Sequence, residues 1–122
     1  MSAGNHNIYI EQGASWTYNI VVNQTDNIPV DLTGYTGKCQ IRPQAGSSTL
    51  YAEVKVEFLD QINGKITLSL TDEQTSAIPS TGQDNTDFNN YVYDLTITDS
   101  LGMTIRLLNG NVLLSPGVTK EQ

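Results

Sequence analysis

Leu50-Tyr51-Ala52-Glu53-Val54-Lys55-Val56-Glu57-Phe58-Leu59 and Lys65-Ile66-Thr67-Leu68-Ser69-Leu70 flank the turn-like Asn63-Gly64. Apolar and polar residues alternate through both runs. With a side-chain period of two, Leu50, Ala52, Val54, Val56 and Phe58 share one face, and Tyr51, Glu53, Lys55 and Glu57 take the other. Ile66, Leu68 and Leu70 alternate in the same way with Lys65, Thr67 and Ser69. A helix would scatter both sets around its axis, so each run reads as a strand with one buried and one wet face, the antiparallel habit. Asn63-Gly64 predicts a type I′ hairpin turn between them, because both residues tolerate positive φ.

The pattern extends in both directions. Trp16, Tyr18, Ile20 and Val22 alternate with Thr17 and Asn19, and Tyr91, Tyr93, Leu95 and Ile97 alternate with Val92, Asp94, Thr96 and Thr98. Seven strands are predicted, over 7–12, 15–22, 35–42, 50–59, 65–70, 91–98 and 103–114, with turns at Asp31–Gly34 and Asp99–Gly102. Short strands at this spacing predict an all-β, immunoglobulin-like antiparallel β-sandwich with Greek-key connections. The 122 residues suffice for one domain over 1–122, with a core of about 7–115 and short tails; residues 115–122 are expected outside the sandwich.

One short helical turn is predicted. Thr71-Asp72-Glu73-Gln74 is a capping box with Thr71 as N-cap, Ile78 points back into the core and Pro79 ends the turn. Tyr91 or Tyr93 then takes the place of a corner tyrosine. In the last hairpin, burial of Ile97 beside Ile105 and Leu95 beside Leu107 sets Thr96 opposite Arg106 and Asp94 diagonal to it, across a bulged or five-residue loop. Val112 and Leu114 are out of phase with Ile105 and Leu107, which predicts a bulge or bend at Asn109-Gly110.

Charge narrows the function classes. The formal net charge is −7 and only six Lys and Arg residues are present, all scattered. Without a basic stripe, nucleic-acid binding and attachment to anionic membranes are disfavoured. The acidity serves solubility. A single cysteine, Cys39, forms no internal disulfide, and Met1–Asn5 has neither a basic nor an apolar leader region. Synthesis in a reducing cytoplasm is expected.

Catalytic groups are sparse. His6, the single histidine, lies in a polar N-terminal stretch with no evident partner, so a Ser-His-Asp arrangement has no fixed base. One Cys and one His do not make a zinc site. Glu53 and Glu57 flank Lys55 on one wet strand face, an ordinary solvated arrangement for carboxylates. No catalytic residue, cofactor site or metal site is assigned. Asp84, Asn85, Asp87 and Asn90 crowd oxygen ligands together in the polar 80–90 segment but lack the EF-hand spacing, leaving calcium as a minor alternative. That segment is long for a sandwich connection and is the candidate partner-contact loop, with Asp84, Asp87 and Phe88 as its contact residues. Cys39 and Trp16 fall in phase with core residues. Asp94, mid-strand between apolar neighbours, is expected to pair with Arg106, either to stabilise the fold or to form a charged patch at a subunit contact.

A set of segments carries a resemblance. Ile10-Glu11-Gln12-Gly13-Ala14-Ser15 is followed by Pro29-Val30-Asp31-Leu32-Thr33-Gly34-Tyr35-Thr36 and Gln40-Ile41-Arg42. Then come Gly64-Lys65-Ile66-Thr67-Leu68-Ser69-Leu70-Thr71, Tyr91-Val92-Tyr93-Asp94-Leu95, Arg106-Leu107-Leu108-Asn109-Gly110 and Val118-Thr119. Their order and spacing over nearly the whole chain resemble a family of small phage and prophage virion proteins, and are similar to the N-terminal domain of phage baseplate upper protein. The resemblance implies a non-enzymatic structural component of a bacteriophage virion, in the tail, baseplate or neck. It also implies contacts with other virion proteins and with copies of itself in a ring or lattice, after synthesis in the bacterial host. The alternatives are a capsid (head) decoration protein and a carbohydrate-binding host-recognition module. A row of exposed rings would favour the last, with Tyr9, Tyr51 and Phe88 as candidates.

Overall fold

The alternating runs become strands because each can bury one face only by pairing side by side and closing over a common core. In the computed structural model, which describes residues 4–23, 28–80 and 89–117, they are β1 (Gly4–Asn5), β2 (Ile8–Glu11), β3 (Trp16–Val21), β4 (Thr36–Arg42), β5 (Ala52–Asp60), β6 (Lys65–Leu70), β7 (Asn89–Thr98) and β8 (Thr104–Ser115). The helix α1 (Asp72–Ala77) lies between β6 and β7. Each of the seven expected strands forms, with its ends displaced by two residues or fewer.

The strands are ordered β1-β8-β7-β4-β5-β6-β3, with β2 also pairing β8. The start of β5 pairs β4 (Val54 opposite Cys39, Ala52 opposite Ile41), while its later part pairs β6 (Val56 opposite Leu68, Phe58 opposite Ile66). One long strand therefore belongs to both layers and closes one side of an all-β sandwich. Between the layers lie Ile10, Leu32, Ile41, Ile66, Leu68, Ile78, Leu95, Ile97 and Leu114, all essentially excluded from solvent. Trp16 is half-buried against this cluster. Leu50, expected on the buried face, precedes β5 and is exposed, since the strand begins only at Ala52.

The sheet is mixed, where an antiparallel one was expected. Both β1 and β2 run parallel to β8, with Gly4 opposite Leu108, Ile8 opposite Val112 and Ile10 opposite Leu114. A parallel neighbour needs a long connection, and here the connection is the rest of the sandwich. Pairing on β8 buries Ile8 and Ile10 and covers an otherwise open edge. The C-terminal stretch is drawn in too. Ser115 ends β8, Pro116 is buried, and the Gly117 amide donates to Gln12 Oε1 at 2.9 Å, so at least these residues belong to the sandwich.

Two local expectations change in detail and one holds. The β5–β6 connection is the four-residue loop 61–64, not a two-residue type I′ turn; Asp60 pairs Lys65, and a bulge falls between Phe58 and Asp60. Gly64 has φ +66° and packs so closely that a Cβ would lie 2.6 Å from the Val22 carbonyl oxygen. The β7–β8 loop has five residues, closed by the Asp99 amide donating to Met103 O, as one of the expected forms required. The bulge in β8 is at Leu107, because Thr96 pairs Arg106 while Leu95 pairs Leu108. Gly110 is therefore not the bend. It is where β8 meets the backbone of His6.

The helix is capped as expected, with the Gln74 amide donating to Thr71 Oγ1 at 3.1 Å and the Thr71 amide to Gln74 Oε1 at 2.9 Å. Gln74 Nε2 also donates to the Glu53 carbonyl, which ties α1 to β5. Buried Ile78 caps the far end, and the Tyr91 hydroxyl donates to the Pro79 carbonyl, which gives Tyr91 the corner role. The fully buried Thr75 hydroxyl joins the helix to the β2–β3 turn. It accepts from the Gly13 amide at 3.0 Å and donates to the Ala14 carbonyl at 3.0 Å. Thr75→Val keeps the shape but strands both backbone groups. It should cost about 1–3 kcal/mol in urea unfolding, and an unchanged midpoint would refute the bridging role.

Candidate functional site

Alternation fixes which side chains leave the core. Since Cys39 and Ile41 point inward, Gln40 and Arg42 of β4 point outward, in one row with Asp94 of β7 and Asn109 of β8. Gln40 lies opposite Asp94, and Asp94 opposite Asn109. The 44–47 loop rises beside this row, and together they frame an open groove of about 640 Å³ across β4, β7 and β8.

Arg42 is held firmly on the groove wall. Its Nη2 donates to Gln40 Oε1 at 2.7 Å and its Nη1 to the Ser47 carbonyl at 3.2 Å, while Gln40 Nε2 donates to Glu53 Oε1 at 3.0 Å. Arg106 is looser. Its Nε lies 3.5 Å from Asp94 Oδ2, and both side chains are about half exposed (57% and 44%). Two guanidinium groups, one carboxylate and the amides of Asn109 and Asn111 thus face a shared concavity. Such a set recognises polar surfaces by hydrogen bonds in fixed directions.

The pair Asp94 and Arg106 thus lies within the groove, but not at the expected register: the bulge at Leu107 sets Leu95 opposite Leu108 and Asp94 opposite Asn109, three residues from Arg106. A half-exposed ion pair contributes little because water screens it. In a double-mutant cycle of Asp94→Ala and Arg106→Ala, a coupling of about 0.2–1 kcal/mol is expected, shrinking in high salt. A coupling above 2 kcal/mol would refute this weak, screened pair. Asp84, Asp87 and Phe88, like Asn85 of the calcium alternative, lie outside the described residues. Gln40, Arg42, Asn109 and Asn111 were not expected as site residues from the sequence, although the inward phase of Cys39 and Ile41 carried the signal for the first two.

Elsewhere, His6 is far from partnerless. Its amide donates to the Asn109 carbonyl at 2.8 Å, its carbonyl accepts from the Tyr93 hydroxyl at 2.6 Å, and its ring stacks on Tyr18 at 5.0 Å. It bridges β8 to β3 and so closes the side of the sandwich opposite β5. Cys39 is buried in the core, and burial pushes its thiol up to about 12, which disfavours the reactive thiolate. Tyr51 packs edge-on against Tyr91 at 4.8 Å, leaving Tyr9 as the more exposed of the two anticipated rings within the described residues.

Comparison with known proteins adds the family. A solved structure of murine CRIg is similar at 12% identity, covering 92% of each chain with a TM-score of 0.40. No curated protein matches the chain. The family model for the BppU N-terminal domain matches residues 2–89, which takes in everything from β1 to the start of β7. This chain belongs to the family of N-terminal domains of the phage baseplate upper protein.

Proposed function

We propose that the protein is a non-enzymatic structural component of the phage tail, held in the baseplate by contacts with other virion proteins and with copies of itself in a ring. The observation that carries this reading is the family match over residues 2–89. The geometry supports it. The groove offers directional hydrogen-bonding groups from guanidinium, carboxylate and amide side chains. Copies in a closed ring need only weak individual contacts, because each contact after the first forms within an already assembled object.

The reading is tested by the copy number of this protein in purified phage particles, measured by quantitative mass spectrometry against the major capsid protein. A small ring's worth of copies is expected. Abundance close to that of the capsid protein would assign it to the head as a decoration protein instead. Its absence from particles would overturn a virion role, and glycan binding would become the reading to test.

A further inference from the structure

Exposed large apolar side chains are ordinary when scattered but informative when gathered. Tyr9, Val21, Ile28, Leu50, Leu59, Ile62, Leu101 and Met103 are the large hydrophobics most open to water among the described residues. Six of these eight sit at one end of the sandwich. Val21 is the last residue of β3, Leu59 and Ile62 flank the end of β5, Ile28 lies in the β3–β4 connection, and Leu101 and Met103 are in the β7–β8 loop. Leu101 is 92% exposed, at the tip of a five-residue loop whose backbone is fixed by Asp99.

These segments form a continuous crest. The Leu32 amide donates to the Gln61 carbonyl at 2.7 Å, the Val22 amide to the Gly64 carbonyl at 2.8 Å, and the Val30 amide to the Val22 carbonyl at 2.9 Å. Gly34 lies against the side chain of Ser100, which joins the β7–β8 loop to the same row. Local hydrogen bonds tie the turns at 31–33, 60–63 and 99–103. Asp31 accepts from Thr33 through both amide and hydroxyl, Asp60 accepts from Asn63, and Asp99 accepts from the Leu101 and Met103 amides. A preordered apolar surface loses little conformational entropy on binding.

The same bonds hold negative charge around the crest. Hydrogen bonds from Thr33 lower the Asp31 carboxyl below its usual range, and the Asn63 side chain does so for Asp60. Lys65 lies beside Asp60, while Lys38 of β4 and Arg106 of β8, both opposite Thr96, lie further in on the strands, with Arg106 paired to Asp94. A second copy would bring the same carboxylates against the crest, on a chain whose formal net charge is −7. Like charges set face to face at an interface select against that pairing.

We propose that this end of the sandwich is a docking surface for a different virion protein, one that presents an apolar pocket rimmed by Lys and Arg. Leu101, Met103 and Ile62 enter the pocket, and Asp31, Asp60 and Asp99 meet its rim. The inference rests on the assembly reading above, because it takes the partner to be part of the particle.

The test uses phage carrying variants of the encoded protein. Leu101→Ser combined with Ile62→Ser, both at highly exposed positions, should leave the thermal midpoint of the purified protein unchanged. It should lower the copy number in particles at least tenfold. Tyr9→Ser with Leu50→Ser, away from this end, should leave the copy number unaltered. A photoreactive residue at position 101 should cross-link, in intact particles, to a Lys- or Arg-bearing segment of another virion protein. Wild-type incorporation of the Leu101/Ile62 variant, or cross-linking to a second copy of this chain, would overturn the docking surface and leave the assembly reading standing. Absence of the wild-type protein from particles would overturn both.

Discussion

Gly110→Ala is expected to destabilise the protein by about 3 kcal/mol and to lift the N-terminal strands from β8. A Cβ at this position would lie 2.1 Å from the His6 carbonyl oxygen and 2.7 Å from its carbonyl carbon. Both are backbone atoms, so no side-chain rotation relieves the overlap, and either β8 or the β1–β2 segment must move. The segment that moves carries much of one side of the sandwich. His6 donates its amide to Asn109, accepts from the buried Tyr93 and stacks on Tyr18, and Ile8 and Ile10 behind it are core residues. Hydrogen exchange should show this as early loss of protection at the His6 amide and along β2, with the β5–β6 pairing retaining more of its own. A variant within 0.5 kcal/mol of wild type in urea unfolding would mean that the close approach of β8 and His6 does not hold in solution.

Leu68→Ala is the second large effect. Leu68 is at the centre of β6, fully buried, between Tyr18 of β3 and Val56 of β5. Truncation removes its transfer free energy and leaves a cavity that two hydrogen-bonded neighbouring strands cannot easily close. The expected loss is about 3–4 kcal/mol, out of a total of the order of 5–15 kcal/mol for a domain of this size. That corresponds to a drop in Tm of roughly 10–15 °C. Leu59→Ala supplies the contrast, because Leu59 is 59% exposed on the neighbouring strand and should shift stability by about 0.5 kcal/mol or less. Equal losses from the two variants would contradict the assignment of Leu68 to the core and Leu59 to the surface.

The candidate site was only partly legible beforehand. The placing of Thr96 opposite Arg106 followed from phase, since Ile97 and Ile105 had to share the buried face, whereas the bulge at Leu107 set where Asp94 lies relative to Arg106. Arg42 and Gln40 could have been placed by the same logic, because they alternate with Cys39 and Ile41. That these side chains share a groove with Asn109 and Asn111 depends on which strands are neighbours. The apolar end was hidden for a related reason. Val21, Leu59, Leu101 and Met103 come from separate turns, and only the meeting of those turns makes them one surface.

The sequence by itself determined the strands, their buried faces, the capping box of α1 and the short Thr96–Arg106 register, because all of these depend on residues close together along the chain. The tertiary structure decided the parallel docking of β1 and β2 on β8, the sharing of β5 between two layers and the shift of the β8 bulge to Leu107. It also decided the meaning of Gly110, which serves the approach of a strand more than a hundred residues away in the chain. Alternation specifies which side of a strand must leave water. It carries no term for which distant edge supplies the missing hydrogen bonds, and that choice is made only when the whole core closes.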